Sequence, residues 1–245
     1  MILEVCCGNY YDAYNAFIGG ANRVELCSSL HLGGLTPTLA TLKLVKANTS
    51  LEAICIVRPR ACGFSYNQCE IDEIFLSAEI FLKNNADGIV FGFLNEDFTI
   101  NEELSSKMIA LCHKYNAKAI MHRCYDLVND PYTTIEKCIE LKVDRILTSG
   151  QQKTAYQGKE FLKDLISKYS NRIEIIIGSG INHTNVKELI DYTKCNQVHS
   201  SCKSYLIDHT SQNNNVNYNY LDNNNYEIVQ LEAVKRLKKI LKEYL

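Results

Sequence analysis

The chain has 245 residues, 46% hydrophobic and 22% charged, and 26 Lys and Arg against 28 Asp and Glu leave a net charge of −2. That length can bury one large core, as a single α/β barrel of about 250 residues or as two small domains. The near-neutral balance argues against wrapping nucleic acid or lying on anionic membrane, and no apolar run reaches the ~18 residues of a membrane span.

The N-terminus, Met1-Ile2-Leu3-Glu4-Val5, lacks the basic start and long apolar stretch of a signal peptide and reads at once as a strand over 2–6. Seven more short β-branched or apolar runs follow, at 23–27, 52–57, 88–91, 118–122, 145–147, 174–177 and 197–199. Helical patterns alternate with them. The first, 10–19, ends at Gly19-Gly20. Pro37 opens the second, 37–48. Segments 69–84, 101–115, 131–141 and 153–169 carry apolar residues at three- and four-residue spacing, and 182–192 starts with Asn182 as a cap. Eight strand–helix units in 245 residues average about 31 each, which predicts a closed (β/α)8 TIM barrel as one domain over 1–245. Residues 206–226 are Asn-rich and without period, and are expected to form a flexible surface loop, or a lid over the barrel mouth. Residues 227–245 recover helical spacing through Ile228, Leu231, Val234, Leu237 and Leu241, as an eighth helix closing the barrel.

Side chains alternate along a strand, and the outer face of a barrel meets apolar helices. Leu3 and Val5 point out, so Glu4 and Cys6 point in; Val24 and Leu26 likewise turn Glu25 and Cys27 inward. The same parity brings in Arg58 after the third strand, His122 after the fifth and His199 on the eighth. Glu4 and Glu25 on neighbouring strands would repel, and Arg58 is the expected neutraliser. Such an array is costly merely to fill a core, although a satisfied ion network in the middle of the barrel is the plainer alternative.

Gly178-Ser179-Gly180 after the seventh strand and Ser200-Ser201 after the eighth stand where many barrels hold phosphate on backbone N–H groups; the same glycines could simply make a tight turn. The 11 cysteines are scattered and include no CxxC, so reduced cytoplasmic thiols are expected and a structural zinc site is not. Cys6 and Cys27 could share one soft metal such as Cu(I), or could equally be small packing residues.

Several blocks resemble the CutC copper-homeostasis family. They are Glu4-Val5-Cys6, Gly20-Ala21-Asn22-Arg23-Val24-Glu25-Leu26-Cys27, Gly33-Gly34-Leu35-Thr36-Pro37 and Arg58-Pro59-Arg60, followed by His122-Arg123 with Asp126, Arg145-Ile146-Leu147-Thr148-Ser149-Gly150, Gly178 with Gly180-Ile181-Asn182, and His199-Ser200-Ser201. The resemblance runs over residues 2–202. It implies a cytoplasmic TIM barrel that forms homo-oligomers and binds copper as Cu(I) through Cys6 and Cys27. It also implies a mouth lined by Glu4, Glu25, Arg58, Arg60, His122 and Asp126. This chain departs from the family's Arg-Pro-Arg-Gly-Gly-Asp-Phe at Arg58-Pro59-Arg60-Ala61-Cys62-Gly63-Phe64, which lacks the Asp.

Two functions follow as expectations. One is a copper-homeostasis protein with Cys6 and Cys27 as ligands. The other is an enzyme acting on a small anionic or phosphorylated metabolite, with Glu4 or Glu25 as acid or base, His122 as a second proton carrier, Arg58 as an anion clamp and Gly178-Ser179-Gly180 holding phosphate. A dinucleotide-binding domain is disfavoured because no GxGxxG follows the first strand, and neither nucleic acid nor membrane is an expected partner.

Overall fold

A computed structural model describes residues 1–220 and 223–244. Eight parallel strands close into a ring in chain order: β1 (Ile2–Cys7), β2 (Arg23–Leu26), β3 (Glu52–Ile56), β4 (Gly88–Phe91), β5 (Lys118–Met121), β6 (Arg145–Thr148), β7 (Glu174–Ile177) and β8 (Gln197–Ser200). The helices outside are α1 (Tyr10–Ile18), α2 (Leu39–Asn48), α3 (Gln68–Lys83), α4 (Glu102–Lys114), α5 (Pro131–Glu140), α6 (Lys159–Tyr169), α7 (Val186–Thr193) and α8 (Leu231–Leu241). No helix among the described residues is long and apolar enough to cross a membrane.

The alternation of side chains sorts the barrel into two shells. Leu3, Val5, Val24, Leu26, Ala119, Met121 and Val198 belong to the large core beneath the helices. Cys6, Cys27, Ile54, Ile56, Val90 and Ile120 form a separate cluster inside the ring. Gly88 makes room for that inner cluster, because a Cβ there would lie 2.7 Å from Ile120 Cδ1 and 2.9 Å from the Lys118 carbonyl oxygen. Side-chain caps start several helices: Asn67 and Glu70 form a capping box at α3, and Asp130 caps α5 with Pro131 in its first turn.

Beneath the inner cluster the barrel floor is ionic. Arg23, Glu52, Arg145, Glu174 and Gln197 are the first residues of their strands. Arg23 donates to Gln197 at 2.8 Å, Gln197 to Glu174 at 2.9 Å, and Arg145 to Glu174 at 2.8 Å.

Four expectations about elements need correction. The second helix starts at Leu39, where the Thr38 hydroxyl caps the Thr41 N–H, so Pro37 lies before the helix. Asn182 caps a turn, accepting from Thr184 N at 2.8 Å, and α7 begins only at Val186. The sixth helix begins at Lys159, after a turn-rich stretch. The Asn-rich segment is bracketed by an antiparallel hairpin, β9 (Lys203–Ile207) with β10 (Asn225–Val229), so neither end of it is loop and residues 227–229 are not helix. The hairpin is tied to α1, since Val229 N donates to Asp12 Oδ1 at 2.8 Å and Asn15 Nδ2 donates to the Val229 carbonyl at 2.9 Å. Leu221 and Asp222 of the expected loop, and Leu245 of the expected last helix, lie outside the described residues.

Candidate functional site

A cavity of about 480 Å³ opens at the C-terminal end of the strands. Strand register delivers its floor. Cys6 pairs with Glu25 across β1 and β2, and Glu4 pairs with His199 across β1 and β8. Cys6, Glu25 and Cys27 line the cavity, as do Arg58, His122 and Asp126 from the loops after β3 and β5. Ser179, Gly180, Ser200 and Ser201 close the side formed by the loops after β7 and β8.

Three expected site residues lie elsewhere. Glu4 sits one layer below the cavity, 2% exposed. Gly178 is a packing glycine, since a Cβ there would lie 2.8 Å from Leu147 Cδ1. Arg60 turns away from the mouth: it pairs with Glu70, donates to the Ser65 carbonyl at 2.7 Å and lies over the Tyr66 ring.

The charges organise around Glu4. Arg23 Nε donates to Glu4 Oε2, and His199 Nδ1 lies 2.7 Å from Glu4 Oε1. Burial alone would raise the Glu4 carboxyl, but the His199 hydrogen bond and the Arg23 charge overcome it and hold it down at about 2. Burial would lower His199, yet Cys6, Glu4 and Glu25 around it raise its imidazole well above the ordinary value. Its other nitrogen, Nε2, is 3.7 Å from Glu25 Oε2. Burial pushes Glu25 up to about 7 against the pull of His199, with the Glu4 charge adding to the rise. A chain of alternating charge therefore runs Arg23, Glu4, His199, Glu25 from the barrel floor to the cavity.

Arg58 is not the neutraliser of these carboxylates. Its guanidinium donates to the carbonyls of Leu32 and Gly34 at 3.1 Å and of Cys62 at 2.5 Å, and lies 5.1 Å from the Phe64 ring centroid. The neutraliser is Arg23, which the sequence reading passed over. Parity turns Arg23 inward, two residues before Glu25, and the register that sets it beside Glu4 makes it the partner.

His122 is held neutral: burial, then the charges of Arg58 and Arg123, push it down to about 3. Asp126 is saturated. It accepts from Arg123 Nε at 2.9 Å, Thr148 Oγ1 at 2.6 Å and Ser149 N at 3.0 Å, which makes it a fastener between the loops after β5 and β6. Burial first, and then Glu25 and Cys6, keep the Cys27 thiol well above its ordinary value. Ser179 and Gly180 have φ of 80° and 73°. Ser179 Oγ donates to the Lys153 carbonyl at 2.8 Å and Ser200 Oγ to the Ile181 carbonyl at 2.7 Å, so both hydroxyls hold loops together.

A closed (β/α)8 barrel with a polar-lined cavity at the C-terminal mouth is a TIM-barrel protein with a site where that fold carries ligands. The chain belongs to the CutC family, whose profile matches residues 1–204 and stops at the start of β9. A CutC family protein of Treponema denticola is 43% identical over 197 residues, 80% of this chain and 79% of its own. The human copper homeostasis protein cutC homolog is 34% identical over 203 residues, 83% of this chain and 74% of its own. A crystal structure from Streptococcus agalactiae, of a protein named as a candidate copper homeostasis protein CutC, superposes with a TM-score of 0.77 at 24% identity, covering 82% of this chain and 98% of that one.

Proposed function

We propose that this protein serves copper homeostasis and binds Cu(I) through Cys6 and Cys27. The observation that carries the reading is the placement of two thiols, on adjacent strands β1 and β2, facing one cavity. Soft thiolates select Cu(I), which accepts as few as two of them. Both thiols are buried, which shields a bound soft ion from water and from exchange. The copper-homeostasis names of the mammalian relatives agree with this chemistry.

The test is a Cu(I) titration against a competing chelator under reducing conditions. The wild-type chain is expected to hold one equivalent, and the Cys6→Ser/Cys27→Ser double variant to lose affinity by at least about a hundredfold, or 2.7 kcal/mol. Equal affinity in the two proteins would remove these thiols from the site.

A further inference from the structure

The mouth cavity contains buried polar atoms that nothing satisfies. Among the described residues, Glu25 Oε1, Arg58 Nε and His122 Nδ1 are buried without a hydrogen-bond partner, and all three residues line the one cavity. An isolated unsatisfied atom is a small flaw, but native interiors hold few of them. Three on one wall, supplied by β2, the loop after β3 and the loop after β5, mark positions that a ligand completes.

The charge balance gives the ligand's sign. Arg58 is 6% exposed and makes no ion pair among the described residues; its donors reach only backbone carbonyls. A buried cation normally carries a counter-ion. The other arginine of the mouth, Arg123, is already paired with Asp126 at 2.9 Å, so its partner cannot serve Arg58. The missing counter-charge is therefore external and negative. Beside it, Glu25 Oε1 can only accept or share a proton, so the same ligand brings a donor to that side. The cavity of about 480 Å³ is much larger than a bare ion and falls in the range of small-molecule sites.

We propose that the mouth binds a small hydroxylated organic anion. Its carboxylate or phosphate faces Arg58 and His122, and one of its hydroxyls donates to Glu25 Oε1. The site goes beyond copper: it is built from Arg58, His122 and Glu25, and it requires neither thiol.

Isothermal titration and thermal shift with inorganic phosphate, glycerol 3-phosphate, ribose 5-phosphate, malate and citrate test this, the phosphate esters and hydroxycarboxylates separating the two sources of the anionic group. At least one organic anion is expected to bind about tenfold or more tighter than inorganic phosphate. Glu25→Gln and His122→Phe are each expected to weaken that anion by about tenfold, and Arg58→Gln by more. Because Arg58 also holds three carbonyls, Arg58→Gln could fail to fold, and the other two variants then decide. The anions are titrated into metal-free protein and Cu(I) in a separate experiment on the same wild-type protein, so failure of the copper reading and failure of this one are separately visible. The proposal is overturned if no organic anion outbinds inorganic phosphate up to about 10 mM, or if Glu25→Gln and His122→Phe both keep wild-type affinity for the anion that does.

Discussion

Arg23 is 1% exposed and neutralises Glu4, which is 2% exposed, while also donating to Gln197 at 2.8 Å. Removing one member of a buried ion pair strands the other in a medium that solvates it poorly. Arg23→Met is therefore expected to cost about 3–5 kcal/mol in chemical denaturation, and Arg23→Met/Glu4→Gln less than Arg23→Met alone. A loss below about 1 kcal/mol for the single variant would mean that His199 suffices to hold the Glu4 charge. Alternation of side chains was enough to read Glu4, Cys6, Glu25, Cys27 and His199 as inward. What it could not supply was partnership. Arg58 and Arg23 both have inward parity, and only the register Glu4 to Arg23 shows which guanidinium meets the carboxylate. Arg60 was expected at the mouth from the family resemblance alone, and it instead pairs with Glu70 at the start of α3.

Elements were legible wherever a local period was strong. β4 was placed at the residues it occupies, from the run Gly88-Ile89-Val90-Phe91. The glycine that begins it had no visible purpose in the sequence, because the reason lies in Ile54 and Ile120 on the neighbouring strands. Gly88→Ala is expected to destabilise by about 1–3 kcal/mol, since a Cβ would press on Ile120 at 2.7 Å and on the Lys118 carbonyl oxygen, and the backbone contact cannot be relieved by a rotamer change. A melting temperature equal to wild type would show that the inner cluster has slack. The β9–β10 hairpin was illegible because its two five-residue strands are separated by a long polar segment, so pairing could not be inferred from either strand alone. It rests on long-range ties: besides the bonds of Asp12 and Asn15 with Val229, the Tyr220 and His31 rings meet at 4.6 Å beside the mouth. Each tie joins a residue within the segment matched by the family to one beyond it.

For the whole molecule, the repeat of strand and helix foretold both the closed ring and its chain-order topology. Ring closure is what turns side chains from strands on opposite sides of the ring into one space, since an open sheet would leave β1 and β8 unpaired with each other. Closure brings His199 to Glu4 across that last seam, at 2.7 Å. It also explains the ionic floor: the narrow N-terminal end is filled by charged residues bonded to one another, which confines access to the opposite end. The proposed copper role requires that the thiols of β1 and β2 act on one ion. X-ray absorption at the copper edge of the protein loaded with one equivalent of Cu(I) reads this out. Two sulfur neighbours are expected in the wild-type protein, reduced to one in Cys6→Ser and in Cys27→Ser; a copper environment of nitrogen and oxygen alone, or one unchanged by either substitution, would contradict it.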